Sequence, residues 1–81
     1  MTVLLFGVTR DIVGTGSLEI PASEAKGLKT VEDLKIHLKK GYPGLKDLSS
    51  LAIAVNQSYA SGTDTIQDTD EIALIPPVSG G

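Results

Sequence analysis

The sequence contains no cysteine and no tryptophan, and only one phenylalanine, one histidine and one methionine. Without thiols there is no disulfide framework, no thiolate metal site and no catalytic cysteine. With aromatic residues at 4%, the core must be built from Leu, Ile, Val and Ala. Long apolar runs are missing too. Nothing approaches the roughly 20 residues that span a bilayer, and no basic segment leads an apolar stretch at the N-terminus. These absences predict a soluble, cytoplasmic protein with no membrane role. Positive charge is also scarce: seven Lys and Arg face ten Asp and Glu, for a net charge of −3. Only Lys39 and Lys40 are adjacent, so the chain carries no electrostatic footprint for nucleic acid.

What is present suits one small domain. A chain of 81 residues cannot build two hydrophobic cores. The opening run "TVLLFGV" is apolar and β-prone, Thr9 to Val13 suits one helical turn, and Gly14-Thr15-Gly16 breaks the chain. "SLEIP" alternates, with Leu18 and Ile20 on one face. After the polar stretch "ASEAKGLK" comes a helix over residues 31–40. Thr30 is its N-cap, Asp33 holds the capping-box position, and Val31, Leu34 and Leu38 form its apolar stripe. Acidic Glu32 and Asp33 open the helix and Lys39 and Lys40 close it, complementing its dipole. Gly41 fits a C-cap, and Pro43 ends the segment.

"LAIAVN" then alternates, with Leu51, Ile53 and Val55 facing one way. A turn at Asn56 to Ser58 leads into a short strand at Tyr59. "EIALI" is the last strand, ended by Pro76 and Pro77, which cannot donate to a ladder. Read as β-β-α-β-β, the order predicts an α+β protein of the β-grasp, or ubiquitin-like, type. One helix covers one face of a mixed sheet, and the first and last strands pair at its centre. Residues 1–75 form that domain and residues 76–81 an extended tail.

The alternation has a second consequence. If Val3 and Leu5 face the helix, Leu4 and Phe6 face away, together with Ala52, Ala54, Ala73 and Ile75. A one-layer sheet ordinarily shows polar residues on its open side, and contiguous exposed apolar surface marks a partner site. A one-residue slip in a strand would instead return part of this patch to the core.

Other candidates for chemistry have ordinary readings. His37, alone on the helix, has no Ser or Asp constellation and reads as solvated or half packed. Asp64, Asp68, Asp70 and Glu71 lack the calcium-loop spacing and suit turns. Gly14-Thr15-Gly16 is followed by no Gly-Lys-Ser/Thr and is no phosphate loop. Gly44 and Gly62 read as turn glycines.

The ending "IPPVSGG" is different. Pro76 and Pro77 set a direction, and Val78, Ser79, Gly80 and Gly81 add little bulk. A tip without β-carbons threads a narrow channel and presents its carboxylate unhindered. That carboxylate, with a pKa of about 3.5, is an anion at neutral pH and a poor electrophile. Activation as a mixed anhydride with AMP would change this, and the domain has no group of its own to do it. The expectation is a carrier served by an ATP-using partner, with no cofactor bound and no metal.

Four segments, "LLFGVTRDIVG", "TVEDLKIHLKKGYPGL", "AVNQSYA" and "DEIALIPPVSGG", together resemble the small subunit of molybdopterin synthase, the MoaD family. The resemblance runs along nearly the whole chain, with the ending its most specific part. It implies that Gly81 is adenylated by an E1-like enzyme, converted to a thiocarboxylate with sulfur from a donor protein, and inserted into the large synthase subunit. There it would donate sulfur to cyclic pyranopterin monophosphate on the route to the molybdenum or tungsten cofactor, within a heterotetramer. It also implies that Gly80 is the sterically required neighbour. Phe6, Tyr59 and Ile75 would be apolar contacts for the partners and Arg10 a basic contact. Tyr59 is bulkier and more polar than an aliphatic residue would be.

Three alternatives share part of this reading. A ubiquitin-like modifier would join Gly81 to lysines of target proteins, a carrier for thiamin thiazole synthesis would pass sulfur to a different acceptor, and a plain interaction domain would use the patch alone.

Overall fold

A computed structural model describes residues 1–48 and 50–77. The element order is β1 (Thr2–Leu5), α1 (Gly7–Val13), β2 (Ser17–Glu19), α2 (Ala22–Ala25), α3 (Val31–Gly41), a 3-10 turn (Pro43–Asp47), β3 (Ala52–Val55), β4 (Ser58–Ala60) and β5 (Ile72–Ile75). The sheet order is β2-β1-β5-β3-β4. Strand β5 lies in the middle, parallel to β1 and antiparallel to β3, so the first and last strands do pair at the centre. This is the expected α+β, β-grasp arrangement. The short strand at Tyr59 makes five strands, one more than the β-β-α-β-β order counts.

Helix α3 forms where its caps and stripe agree. Thr30 Oγ1 accepts from the Asp33 amide at 3.2 Å, and Asp33 Oδ2 accepts from the amides of Thr30 and Lys29. The next two amides, of Val31 and Glu32, donate to the carbonyls of Asp64 and Gly62. A loop that looks idle in the sequence thus satisfies helix donors that would otherwise lack partners. The stripe Val31, Leu34 and Leu38 packs on Val3 and Leu5 of β1, Ile53 of β3, and Ile72 and Leu74 of β5, all of them buried. At about 25 cal/mol per Å² of apolar surface hidden, this seam is the main stabilising term.

Several boundaries differ from expectation. The first strand stops at Leu5 and does not run through "TVLLFGV", because Gly7 takes a φ of +56 and turns the chain into α1. Gly41 is the last helical residue of α3 and not its cap. The cap is Tyr42, whose amide donates to the Leu38 carbonyl at 2.9 Å; preceding Pro43, it is kept out of the helical region, at φ −134 and ψ 81. The polar stretch after Pro21 contains the one-turn helix α2, anchored by buried Ala25. Gly44 lies within the 3-10 turn, against Ile12 of α1.

Candidate functional site

The sheet face opposite α3 has no covering layer among the described residues. Register places Ser17, Leu4, Ala73, Ala54 and Tyr59 in one row across all five strands. The next row towards the β5 exit holds Ile75 opposite Ala52, with Phe6 just beyond the end of β1. Leu4, Ala52, Ala54, Ala73 and Ile75 are half-buried, whereas Val3, Leu5, Ile53, Ile72 and Leu74 of the same strands are in the core. The sheet therefore has the parity that the alternation predicts. At the opposite end the face turns polar: Thr2 pairs with Glu19 and its hydroxyl donates to Glu19 Oε2 at 2.7 Å. Asn56 and Glu71 adjoin there, joined by the Glu71 amide donating to Asn56 Oδ1 at 3.0 Å. The open face grades from acidic to apolar towards the point where the chain leaves β5.

Phe6 is 49% exposed, an unusual position for the only phenylalanine of a small protein. Its backbone is fixed by Thr9, whose hydroxyl accepts from the Phe6 amide at 3.1 Å and donates to the Phe6 carbonyl. Thr9 is fully buried, the one polar side chain in that class among the described residues. Next to Phe6, a β-carbon built on Gly7 would stand 3.1 Å from Cγ of Pro76. The start of α1 and the exit from β5 thus touch, and Pro76 and Pro77 leave the sheet beside Phe6. Neither Gly7 nor Thr9 is legible as a site residue in the sequence, because Thr9 stands at the third helical position after a phenylalanine cap, the reverse of the usual capping-box order.

The remaining candidates fall at different distances from this point. Ile75 and Pro76 are at it. Tyr59 is 77% exposed at the far edge of the sheet, two strands from β5 and so roughly 10 Å away. Arg10 lies along Gly16 at the β1–β2 corner, on the rim and outside the apolar rows. Val78, Ser79, Gly80 and Gly81 lie outside the described residues. His37 is on the helix side of the sheet, with Nε2 3.7 Å from Glu24 Oε1, and takes no part in this face. The acidic residues of the last loop work as turn caps. Asp64 accepts from the Ser61 amide at 2.9 Å and Asp70 from the Gln67 amide at 2.7 Å, while Asp68 meets the amino group of Met1 at 2.8 Å. Among the described residues no three His, Cys, Asp or Glu side chains are placed to share a metal ion, and no helix is long and apolar enough to cross a membrane.

A mixed sheet holding one long helix on one face, with the other face open and apolar around the exit of its central strand, defines a ubiquitin-like β-grasp domain. Within that class the chain belongs to the ThiS family, whose model matches residues 3–81. It is similar to the molybdopterin synthase sulfur carrier subunit of Escherichia coli (strain K12), at 39% identity over 83 residues, covering 98% of this chain and 96% of that protein. Among solved structures it resembles the small archaeal modifier protein 1 of Methanosarcina acetivorans, with a TM-score of 0.73 and 29% identity over 99% of this chain and 94% of that one. It also resembles a chain in the complex of subunits 1 and 2 of the molybdopterin-converting factor of Helicobacter pylori, with a TM-score of 0.63 and 26% identity over 99% and 96% of the two chains.

Proposed function

We propose that this chain is the sulfur carrier subunit of a molybdopterin synthase. The observation that carries the reading is the continuity of the apolar sheet face with the exit from β5: Phe6, Ile75 and Pro76 adjoin, so a partner seated on the face also receives the segment that follows. The 39% identity to a sulfur carrier subunit along nearly the whole chain supports it. The likeness to a chain in the complex of subunits 1 and 2 of a molybdopterin-converting factor supports the large subunit as that partner.

In this proposal the Gly81 carboxylate attacks the α-phosphorus of ATP on an E1-like adenylyltransferase, and pyrophosphate leaves. A sulfide equivalent from a sulfur donor protein then displaces AMP, leaving a thiocarboxylate. Carried into the large subunit, within a heterotetramer, the thiocarboxylate gives its sulfur to cyclic pyranopterin monophosphate. Gly80 and Ser79 keep the arm slim, Val78 and the two prolines extend it, and Arg10 and Tyr59 meet partners at the rim. The domain contributes no acid, base or metal to these steps. It is a sulfur donor held in place, and ATP belongs to the activating enzyme. Such a protein works in the cytoplasm.

The test is intact mass after incubation with the activating enzyme, ATP and a sulfur donor, followed by sulfur transfer to the pterin in the presence of the large subunit. The expected result is the mass gain of one sulfur-for-oxygen exchange, absent when one residue is appended after Gly81. No mass change and no transfer would overturn the reading. The likeness to a small archaeal modifier protein favours, as a second reading, conjugation through Gly81 to lysines. Larger conjugates that vanish when Gly81 is deleted would support it.

A further inference from the structure

We infer that Thr9, buried behind the open face, is a positioning residue for transfer: it fixes the Phe6 backbone so that Phe6 and Pro76 present one docking edge. The inference rests on the carrier reading and adds a residue that touches no partner itself. Thr9 satisfies both backbone groups of Phe6 with a single hydroxyl, whose carbonyl partner also accepts the Thr9 amide at 3.2 Å. That closed ring holds Phe6 extended at φ −129 and ψ 153 and hands the chain to Gly7 in the left-handed region. Only then does the backbone at Gly7 come close enough to seat Cγ of Pro76. Phe6 is exposed, so its side chain has little else to hold it in register with Ile75 and Pro76.

A purely structural role would make Thr9 a helix cap and nothing more. The two roles separate by comparison with Thr30, which caps α3 on the opposite side of the sheet through the Asp33 amide. The experiment measures binding of the large subunit and pterin sulfur transfer for Thr9→Val, Thr9→Ser and Thr30→Val, with thermal stability and amide hydrogen exchange at Phe6 recorded for each. The expected result is that Thr9→Val weakens binding roughly five- to tenfold, the equivalent of about one lost hydrogen bond. Phe6 exchange should quicken in the same variant. Thr9→Ser, which keeps the hydroxyl, should restore both. Thr30→Val should lose a similar amount of stability with binding unchanged.

Equal binding losses in Thr9→Val and Thr30→Val, or unchanged binding in a folded Thr9→Val protein, would overturn the inference. If Thr9→Val does not fold, failure of Thr9→Ser to match the parent in binding and Phe6 exchange overturns it. A parent protein that neither binds the large subunit nor transfers sulfur would count against the carrier reading itself, and Phe6 exchange would still report on the Thr9 clasp.

Discussion

Leu4 of β1 and Ala73 of β5 stand directly opposite one another in a parallel ladder, and Ala54 of β3 continues the same row on the far side of Ala73. Two small residues beside a leucine leave a shallow apolar floor at the middle of the sheet. A charge placed there meets any docked partner. Ala73→Glu is expected to cost the isolated domain no more than about 1 kcal/mol, the span of strand preferences. It should weaken large-subunit binding at least about tenfold, because the carboxylate would be buried without a partner. Calorimetric titration alongside thermal melting checks both halves.

The seam between α3 and the sheet predicts the opposite pattern. Leu34 is fully buried at its centre. Leu34→Ala should destabilise the domain by about 2 to 5 kcal/mol, through lost transfer energy and the cavity left behind. In so small a domain that is a large share of the total, so the variant should melt far earlier in a denaturant titration. Its binding should fall only in proportion to the fraction unfolded.

One substitution should stabilise. The β3–β4 hairpin closes through Asn56 and Gln57, both with positive φ, at 52 and 69. Such a two-residue turn favours Asn-Gly, since a side chain in the left-handed region costs about 1 to 2 kcal/mol. Gln57→Gly should therefore gain roughly 0.5 to 1 kcal/mol after the entropy of glycine is counted. The urea midpoint should rise with an unchanged slope.

Alkaline sensitivity follows from the amino group of Met1, which donates to the Ile20 carbonyl at 3.0 Å and meets Asp68 at 2.8 Å. The hydrogen bond to Asp68 holds its pKa above the ordinary 8.0, against desolvation that lowers it and with the charges of Asp68 and Glu19 adding to the rise. A pKa raised on folding gives stability that is fully present below 8.0 and is lost as pH climbs through the folded value. Melting temperature should fall above that point, and Asp68→Asn should flatten the fall while lowering the neutral-pH value slightly.

Period-two alternation in β1, β3 and β5 was enough to sort Val3 from Leu4 and Leu74 from Ala73, because burial on one face leaves no freedom of register. The N-terminal cap of α3 is equally plain, since Thr30 and Asp33 act on neighbours in sequence, whereas its C-cap falls on Tyr42 and not on Gly41. What sequence patterning misses depends on groups distant along the chain or on backbone angles. The clasp of Thr9 on Phe6 acts through main-chain atoms of a residue that patterning reads as strand. Gly7 matters because Pro76, far along the chain, lies against it. Helix α2 has one buried anchor, Ala25, too few for any periodicity to register. The carbonyls of Gly62 and Asp64 serve α3 through main-chain atoms, which side-chain identity does not reveal.

The central place of β5 has a mechanical consequence. A partner that draws on the segment after Pro77 loads the sheet along the axis of a strand bonded on both sides, to β1 and to β3. Pulling in that direction shears two ladders together, where an edge strand would resist through one. On the proposed carrier reading, β5 would let the domain serve as a firm handle through repeated rounds of loading and transfer.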